Sequence, residues 1–247
     1  MNVLIVLAHP EPSSFSAALT ATARAALEAG GHRVIVSDLY AEGFDPVAGR
    51  HDFLTVADPE RFHYQAEQLH ASRHDGFAPD LRREQARVAD ADLLLFVFPL
   101  WWGGMPAILK GWFDRVLAYG VAYADGKRYD SGFLRGRKGL LGIATGGTAQ
   151  RFTRDGSYGE IGQVLHGVRH CMLDYLGLDV AEPFVAYAAP RVDAAERARM
   201  LAQWRARVLA LADDPDWHAQ RQAAGDTPLR LAQQAARDGT LEWAAPR

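Results

Sequence analysis

The chain has 247 residues, of which 49% are hydrophobic, which is enough for one large domain with a sizeable core. Its 30 acidic and 27 basic residues give a formal net charge of -3, so no global field favours nucleic acid or an anionic membrane. The single cysteine, Cys171, excludes an internal disulfide and any metal site built on several cysteines, and it fits a reducing compartment.

The amino-terminal stretch Met1–Pro10 is apolar but lacks the basic leader and the length of a signal peptide. No segment of the sequence approaches the roughly 18 uninterrupted apolar residues of a membrane-spanning helix. We therefore expect a cytoplasmic protein.

The first predicted elements are a buried strand, Val3–Ala8, a polar loop over residues 9–16, and an alanine-rich helix, Ala17–Ala29. A polar loop before a helix is typical of an anion site, because the first backbone N–H groups of a helix lack partners. Serine capping of the helix is the simpler alternative. The loop is neither GxGxxG nor a Walker P-loop, so no Rossmann or triphosphate site is predicted. Its serine hydroxyls could add donors: Ser13, Ser14 and Ser16.

A short strand, Arg33–Asp38, comes next, followed by a long mixed segment, Leu39–Arg87, without clear periodicity. Its aromatic residues argue against disorder, and long irregular excursions inside compact domains are usually functional or packing insertions. A short helix is predicted over Glu84–Ala89.

The most informative stretch begins with Asp92–Phe98, a continuous apolar run typical of a strand covered on both faces. Pro99 ends the strand, paired tryptophans and glycines form a loop over residues 101–104, and Pro106 starts a helix. The loop therefore lies at the carboxyl end of a buried strand, where open α/β sheets bind ligands. The alternative is that the two indoles simply fill the core.

After an aromatic loop, the sequence predicts a strand at Lys138–Thr145, a helix at Ile161–Leu176 and a strand at Val180–Tyr187. A last helix starts at Asp193, whose spacing to Glu196 matches a capping box. Strands and helices alternate, so we predict an α/β fold with a five-stranded parallel sheet and helices on both faces. Residues 1–212 would form the domain. Residues 213–247, with a short helix at 229–237, would form an arm packed on the domain or on a second subunit.

Several of these features together resemble the flavodoxin-like NAD(P)H:quinone oxidoreductase family. The resemblance covers roughly residues 1 to 212, with the motifs in the right order, and the run 106–113 is specific. It is carried by His9, Ser14-Phe15-Ser16, Ser37-Asp38-Leu39-Tyr40, Phe98-Pro99-Leu100 with Trp102, Pro106-Ala107-Ile108-Leu109-Lys110-Gly111-Trp112-Phe113, and Thr145-Gly146-Gly147.

The resemblance implies a doubly wound sheet of order 2-1-3-4-5, bound FAD rather than FMN, and a homodimer with active sites at the subunit interface. It also implies two-electron reduction of quinones by NADH or NADPH. The implied cofactor residues are His9, Phe15, Ser16, Pro99, Leu100, Trp101, Trp102, Gly103, Thr145, Gly146, Gly147, Phe152 and Arg197. Substrate would contact Trp102, Phe152, Asp125 and Tyr123, the last from the neighbouring subunit.

Some positions depart from the family pattern. Phe152 and Tyr158 stand where mammalian members have a tyrosine and a histidine, Asp125 replaces a pocket tyrosine, and His63 replaces a glutamine near the flavin. Because a reduced flavin carries negative charge, we expect the N–H groups of Gly146 and Gly147 and the Tyr158 hydroxyl to act in catalysis.

Other functions remain open on the sequence alone. Some relatives are flavin-binding regulatory subunits of potassium efflux systems, and an FMN electron carrier of the flavodoxin type is a weaker alternative. His166 and His170 share one face of a predicted helix beside Cys171, but the third ligand expected of a metal site is missing. Arg135, Arg137 and Lys138 form a basic cluster that is better explained as a solvated face than as an NADPH contact.

Overall fold

The computed structural model describes residues 1–217 together with residue 219. The strands of the sheet pair in parallel in the order β2-β1-β3-β4-β5, and β6 also pairs with β4, which confirms the predicted doubly wound α/β architecture. The elements in chain order are β1 (Asn2–Leu7), α1 (Phe15–Ala29), β2 (Arg33–Asp38), α2 (Tyr64–His74), α3 (Pro79–Asp90), β3 (Leu93–Pro99), α4 (Ala107–Val116), β4 (Lys138–Ala144), α5 (Ile161–Val164), α6 (His166–Val168), β5 (Asp179–Val180), β6 (Phe184–Ala186) and α7 (Ala194–Ala212).

The central strands are covered on both faces. In β1, Ile5 packs with residues of α1 and α7, whereas its neighbour Leu4 packs with residues of α3 and α4. Every residue of β3 and of β4 is buried. Full burial of one such aliphatic side chain contributes roughly 1.5–3 kcal/mol, so both faces of the sheet favour apolar residues. This explains why these strands are continuous apolar runs in the sequence.

One tryptophan connects the helices of the first face to the sheet. The Trp204 side chain of α7 is fully buried, and its indole N–H donates to the backbone carbonyl of Leu19 in α1 at 2.8 Å. A Cβ atom at Gly142 of β4 would lie only 2.9 Å from this indole. The glycine therefore makes room for Trp204, which fixes α7 and, with it, Arg197 at the carboxyl edge of the sheet.

The prediction of an irregular segment over Leu39–Arg87 was wrong in its second half, which contains α2 and most of α3. The predicted helix Glu84–Ala89 is the end of the longer α3, which Pro79 begins. Both helices bury polar side chains. These are Glu67 and Gln68 in α2 and Glu84 and Gln85 in α3. These polar residues occupy buried positions that apolar residues usually fill, so apolar residues alone do not mark the full length of either helix.

Two other predicted elements are divided. The single predicted helix Ile161–Leu176 consists of α5, α6 and a π-helix over Arg169–Asp174. Its two glycines at 162 and 167 reduce helix propensity in this segment. The predicted strand Val180–Tyr187 is divided into β5 and β6, with Pro183 between them, which has no N–H to donate to the sheet.

The interpretation of the basic cluster at residues 135–138 as a solvated face was wrong. Arg137 and Lys138 are buried, and the Arg137 guanidinium donates to the carbonyls of Val88 and Ala89.

The beginning of the predicted arm lies against the domain. Asp214 pairs with the buried amino group of Lys138 at 2.5 Å, and the buried Trp217 donates its indole N–H to the carbonyl of Gly136 at 3.1 Å. The rest of the arm, including the predicted helix 229–237, lies outside the described residues. No helix in the described part of the chain combines the length and the apolar character needed to cross a membrane.

Candidate active site

A cleft of about 760 Å³ opens at the carboxyl ends of the strands. The strand order reverses between β1 and β3, and doubly wound sheets bind ligands at such a switch point. Loops after β1, β3, β4 and β6 form the wall together with α1 and α7. The lining residues are His9, Glu11, Ser13, Ser14, Phe15, Ser16, Ala18, Pro99, Leu100, Trp101, Ala144, Thr145, Gly146, Ala189, Pro190, Arg197 and Leu201.

The amino terminus of α1 supplies hydrogen-bond donors at one end of the cleft. Ser14 caps the helix by accepting from the N–H of Ala17 at 3.1 Å, and Ser13 donates its N–H and its hydroxyl to the Glu11 carboxylate. The hydroxyl of Ser16 is fully buried and has no partner among the described residues. The serine-cap alternative is thus correct for Ser14, while Ser16 keeps a free donor beside the helix terminus.

His9 is a neutral donor at the same end of the cleft. The N–H of Glu11 donates to Nδ1 of His9 at 3.0 Å, so Nδ1 carries no proton and the neutral ring holds its proton on Nε2. Partial burial lowers the pKa of His9 below its usual 6.5, against the smaller opposing effect of Glu11. The pKa of Glu11 is itself lowered by the hydrogen bonds that it receives from Ser13. A carboxylate therefore lines this donor-rich end of the cleft.

The tryptophan loop is a tight two-residue turn. Trp101 and Gly104 exchange two backbone hydrogen bonds of 3.0 and 2.9 Å, and the residues between them, Trp102 and Gly103, have φ of 52° and 72°. A positive φ is unusual for tryptophan. Trp101 lines the cleft at 6.0 Å from the His9 ring, whereas the Trp102 indole is fully exposed at the tip of the turn. Trp102 and Gly103 are not part of the cleft wall within one chain.

The loop after β4 forms the opposite wall. Thr145 and Gly146 line the cleft, and Gly147 donates its N–H to the Thr145 hydroxyl at 3.1 Å. A Cβ atom at Gly147 would lie 2.7 Å from the Phe152 ring and 3.1 Å from the Tyr158 ring, so both rings pack directly on this glycine. Phe152 and Tyr158 thus border the cleft without lining it. The Gly147 N–H is already occupied, which leaves Gly146 as the more suitable donor.

The other predicted site residues have different surroundings. Arg197 lines the cleft and donates to the carbonyl of Val192. Tyr123 lies outside the cleft in an aromatic cluster with Tyr119 and Tyr175, and burial raises its pKa. The Asp125 carboxylate, two residues further along the chain, pairs with the Arg128 guanidinium at 3.3 Å. The structure therefore does not bring Tyr123 and Asp125 to the cleft of their own chain.

The histidines weighed as metal ligands have other contacts. His166 stacks on His170 at 5.0 Å between ring centroids, and His170 contacts Asp174 at 3.2 Å. Cys171 is exposed. Over residues 1–217 and 219, no three side chains of the types that bind metals are grouped closely enough to hold an ion. His63 caps α2 by accepting from the N–H of Ala66.

The cleft fits a flavin cofactor. Its donor end, with the unpaired Ser16 hydroxyl and the helix terminus, is suited to a phosphate group. Its other end has apolar walls formed by Leu100 and Trp101 and a backbone that Gly146 leaves open, which suits a flat ring. Sequence reasoning missed Glu11 and Leu201 in the wall, and also the pairing of Arg151 with Tyr158, which a loop without periodicity does not reveal.

The chain is similar to known oxidoreductases. The family described as having a Flavodoxin-like fold matches residues 1–208. NAD(P)H dehydrogenase (quinone) 1 of Cavia porcellus is 40% identical, and the match covers 86% of this chain and 78% of that protein. Ribosyldihydronicotinamide dehydrogenase (quinone) of Homo sapiens is 42% identical, with 84% and 90% covered. A solved structure from Klebsiella pneumoniae, provisionally described as a quinone reductase, has a TM-score of 0.82 at 35% identity, with 86% and 85% covered.

Proposed function

The chain belongs to the Flavodoxin-like fold family and is an oxidoreductase related to NAD(P)H dehydrogenase (quinone), and on this premise we propose that it is a flavin-dependent quinone reductase. It would use FAD to pass two electrons from NADH or NADPH to a quinone or a related acceptor such as an azo compound. The observation that carries the proposal is the cleft at the switch point, which joins an anion site at α1 to an apolar slot at Trp101. The wall of the cleft also includes Leu201 of α7. This extension toward α7 would leave room for the second nucleotide of FAD, which FMN lacks, and it supports FAD over FMN.

The residues of the chain would bind and orient the cofactor. His9 and Ser16, with the first N–H groups of α1, would hold the pyrophosphate, and Arg197 would add a positive charge at the α7 side of the cleft. Leu100 and Trp101 would cover the ring, and Gly146 would approach its polar edge. When bound, the flavin supplies the hydride chemistry, accepting a hydride from the nicotinamide and delivering it to the acceptor.

One pocket would serve both substrates in turn, in a ping-pong cycle. Both substrates would stack in the slot between Trp101 and the loop after β4, so the nicotinamide would leave before the quinone takes its place. Tyr158, at the mouth, would donate a proton to the acceptor, and the Gly146 N–H would stabilise negative charge at the polar edge of the ring.

A homodimer would complete the pocket. Trp102 is a fully exposed indole at the cleft mouth, and a single chain leaves Tyr123 and Asp125 away from its own cleft. Exposed aromatic side chains of this kind are typical of interfaces. We propose that Tyr123 and Asp125 reach the cleft of the second subunit and that Trp102 and Phe152 contact the substrate there.

Removal of the Ser16 hydroxyl tests the pyrophosphate site. We expect Ser16→Ala to bind FAD about tenfold more weakly, since a hydrogen bond to a charged group contributes roughly 1.5–3 kcal/mol. Thr20→Val is the matched control, because its hydroxyl is also buried without a partner but lies outside the cleft wall. Titration of each flavin-free protein with FAD, followed by flavin fluorescence, measures both affinities. Equal affinities in the two variants would contradict the placement of the pyrophosphate.

The pH dependence of FAD binding tests His9. Its pKa is below 6.5 in the free chain because of burial, and a nearby pyrophosphate must raise it. Binding then takes up a proton, so affinity rises as the pH falls through the pKa of the bound state, by up to about tenfold for each unit that the pKa rises. We expect this rise between pH 8 and pH 5.5, roughly, and a flat profile in His9→Gln. A wild-type profile as flat as that of the variant would remove His9 from the anion site.

Turnover separates the enzyme from the regulatory alternative. An enzyme of this class should reduce a soluble benzoquinone at no less than about 1 s⁻¹, whereas a potassium efflux subunit should do so far more slowly and purify with a transporter. The names of the relatives favour the enzyme. The cytoplasmic location stays a prediction from the sequence.

A further inference from the structure

Arg151 contacts Tyr158, the proton donor proposed above, on the loop that follows Gly147. The guanidinium of Arg151 donates from Nη1 to the phenol oxygen of Tyr158 at 3.1 Å and lies 5.7 Å from the centre of the same ring. One arginine therefore contacts both the oxygen and the ring of one tyrosine.

The backbone holds this pair in place. The N–H of Tyr158 donates to the carbonyl of Arg151 at 2.9 Å, which closes the loop between the two residues. Phe152 is buried between the loop and the sheet, with its ring 5.1 Å from Tyr158 and 5.6 Å from Tyr187. Gly147 lies directly beneath the rings of Phe152 and Tyr158. The pair is thus anchored to the loop that forms the cleft wall.

The Tyr158 ring packs on groups that carry no charge. The elements that pack on it supply Phe152 and the backbone of Gly147, and Tyr187 lies behind Phe152. Arg154 and Asp155 occupy the same loop, whereas the hydrogen bond to the phenol oxygen comes from Arg151. Arg151 is therefore the charged partner of the phenol.

We propose that Arg151 is a positioning residue for proton transfer from Tyr158 to the quinone, an inference that rests on the function proposed above. Because the guanidinium occupies one lone pair of the phenol oxygen, the O–H of Tyr158 remains free to point to an acceptor bound over Gly146. The positive charge also stabilises the phenolate that forms when the proton leaves.

The proposed reductase activity supplies a hydride, which the quinone receives at one carbonyl oxygen or ring position. The reduced quinone then requires one proton to become the hydroquinone. The O–H bond of Tyr158 breaks, its proton goes to the quinone oxygen, and the electron pair remains on the phenolate beside Arg151. Half of the Tyr158 side chain is exposed, so water can return the proton before the next turnover.

The contact itself is testable without flavin or turnover. In flavin-free protein labelled with 3-fluorotyrosine, the fluorine signal lost in Tyr158→Phe identifies Tyr158. We expect this signal to shift in Arg151→Met and to stay in place in Arg154→Met, a control on the same loop. Both arginines are exposed, and such contacts contribute little to stability, so both variants should fold. A signal that is unchanged in Arg151→Met would overturn the inference.

The kinetic test follows the two half-reactions by stopped flow in protein loaded with FAD. We expect Arg151→Met to slow reoxidation by the quinone about tenfold, within the range of general acid catalysis, and to leave reduction by NADPH unchanged. Arg151→Lys should recover most of the rate, and Arg154→Met should match the wild type. In a Tyr158→Phe background, Arg151→Met should have no further effect.

The outcomes separate the two proposals. A wild-type chain that reduces no quinone overturns the proposed function and this inference together. If the wild-type chain reduces quinone normally, two results would overturn the inference alone. One is that Arg151→Met reoxidises as fast as Arg154→Met. The other is that Arg151→Met slows reoxidation in the Tyr158→Phe background as much as it does in the wild type.

Discussion

Replacing Asp52 by asparagine is expected to lower the free energy of unfolding by about 3–5 kcal/mol, the cost of leaving a buried charge without its partner. The Asp52 and Arg115 side chains are almost completely buried, and the guanidinium contacts one carboxylate oxygen through Nε at 2.9 Å and through Nη2 at 2.7 Å. Removing the negative charge would leave the buried Arg115 with only the partly exposed Asp80, at 3.5 Å, as a counter-charge.

The same carboxylate organises the segment between β2 and α2. Tyr64 donates its hydroxyl to the second oxygen of Asp52 at 2.5 Å, and burial followed by this hydrogen bond raises the pKa of Tyr64 well above its ordinary value. Arg115 also donates to the carbonyl of Asp45. The network thus attaches the segment to α4, whose amino terminus follows the tryptophan loop.

Urea unfolding monitored by circular dichroism measures the effect. Asp80→Asn is the matched control: Asp80 also contacts Arg115, at 3.5 Å, but its side chain is 38% exposed. The control should cost no more than about 1 kcal/mol. An Asp52→Asn variant as stable as the control would show that the network does not hold this segment.

Replacing Tyr158 by phenylalanine is expected to slow quinone reduction by about 10²-fold, which is the lower range for loss of a general acid. FAD binding should be unchanged, because the phenol borders the cleft and is not part of its wall. The packing of the ring on Gly147 and Phe152 is retained in the variant, so a structural effect should be small.

Stopped-flow rates assign the loss to one half-reaction. Reduction by NADPH should proceed at the wild-type rate, because the nicotinamide needs no proton from Tyr158 to release its hydride. The loss should lie in reoxidation by the quinone, with a solvent isotope effect in the wild type that disappears in the variant. A variant that turns over at the wild-type rate would remove the proton-donating role of Tyr158.

The strands and the location of the cleft could be predicted because burial on both faces leaves a direct trace in the sequence. The run at β3 is apolar throughout, and the loops after β1, β3 and β4 must meet at one edge of a parallel sheet. His9, Trp101 and Thr145, which follow three different strands, line one cleft for this reason.

Helices that bury polar groups do not have a continuous apolar run that would reveal them in the sequence. Glu84 of α3 is buried because the Trp112 indole N–H and the Ser37 hydroxyl donate to its carboxylate at 2.9 and 2.8 Å. A single sequence does not distinguish a buried glutamate from a solvated one, so the apolar residues of α3 predict a shorter helix than the one that forms. Whether such a glutamate is buried depends on contacts with residues that are distant in the sequence, here Ser37 and Trp112.

The details of the site also depended on backbone geometry. The tight turn at Trp102 directs this indole out of the cleft of its own chain, although its neighbour Trp101 lines the wall. Likewise, Tyr158 meets Arg151 because a backbone hydrogen bond closes their loop. Residue types alone indicated a pocket with aromatic walls, but not which of the rings face it.

The most direct test of the central claim is an anaerobic absorbance spectrum of the purified protein loaded with FAD, recorded before and after one equivalent of NADPH or NADH and again after one equivalent of a benzoquinone. We expect the flavin band near ~450 nm to bleach with the nicotinamide and to return with the quinone, because one bound flavin passes the hydride from donor to acceptor. A protein that binds no flavin, or whose bound flavin neither nucleotide reduces, would contradict the account.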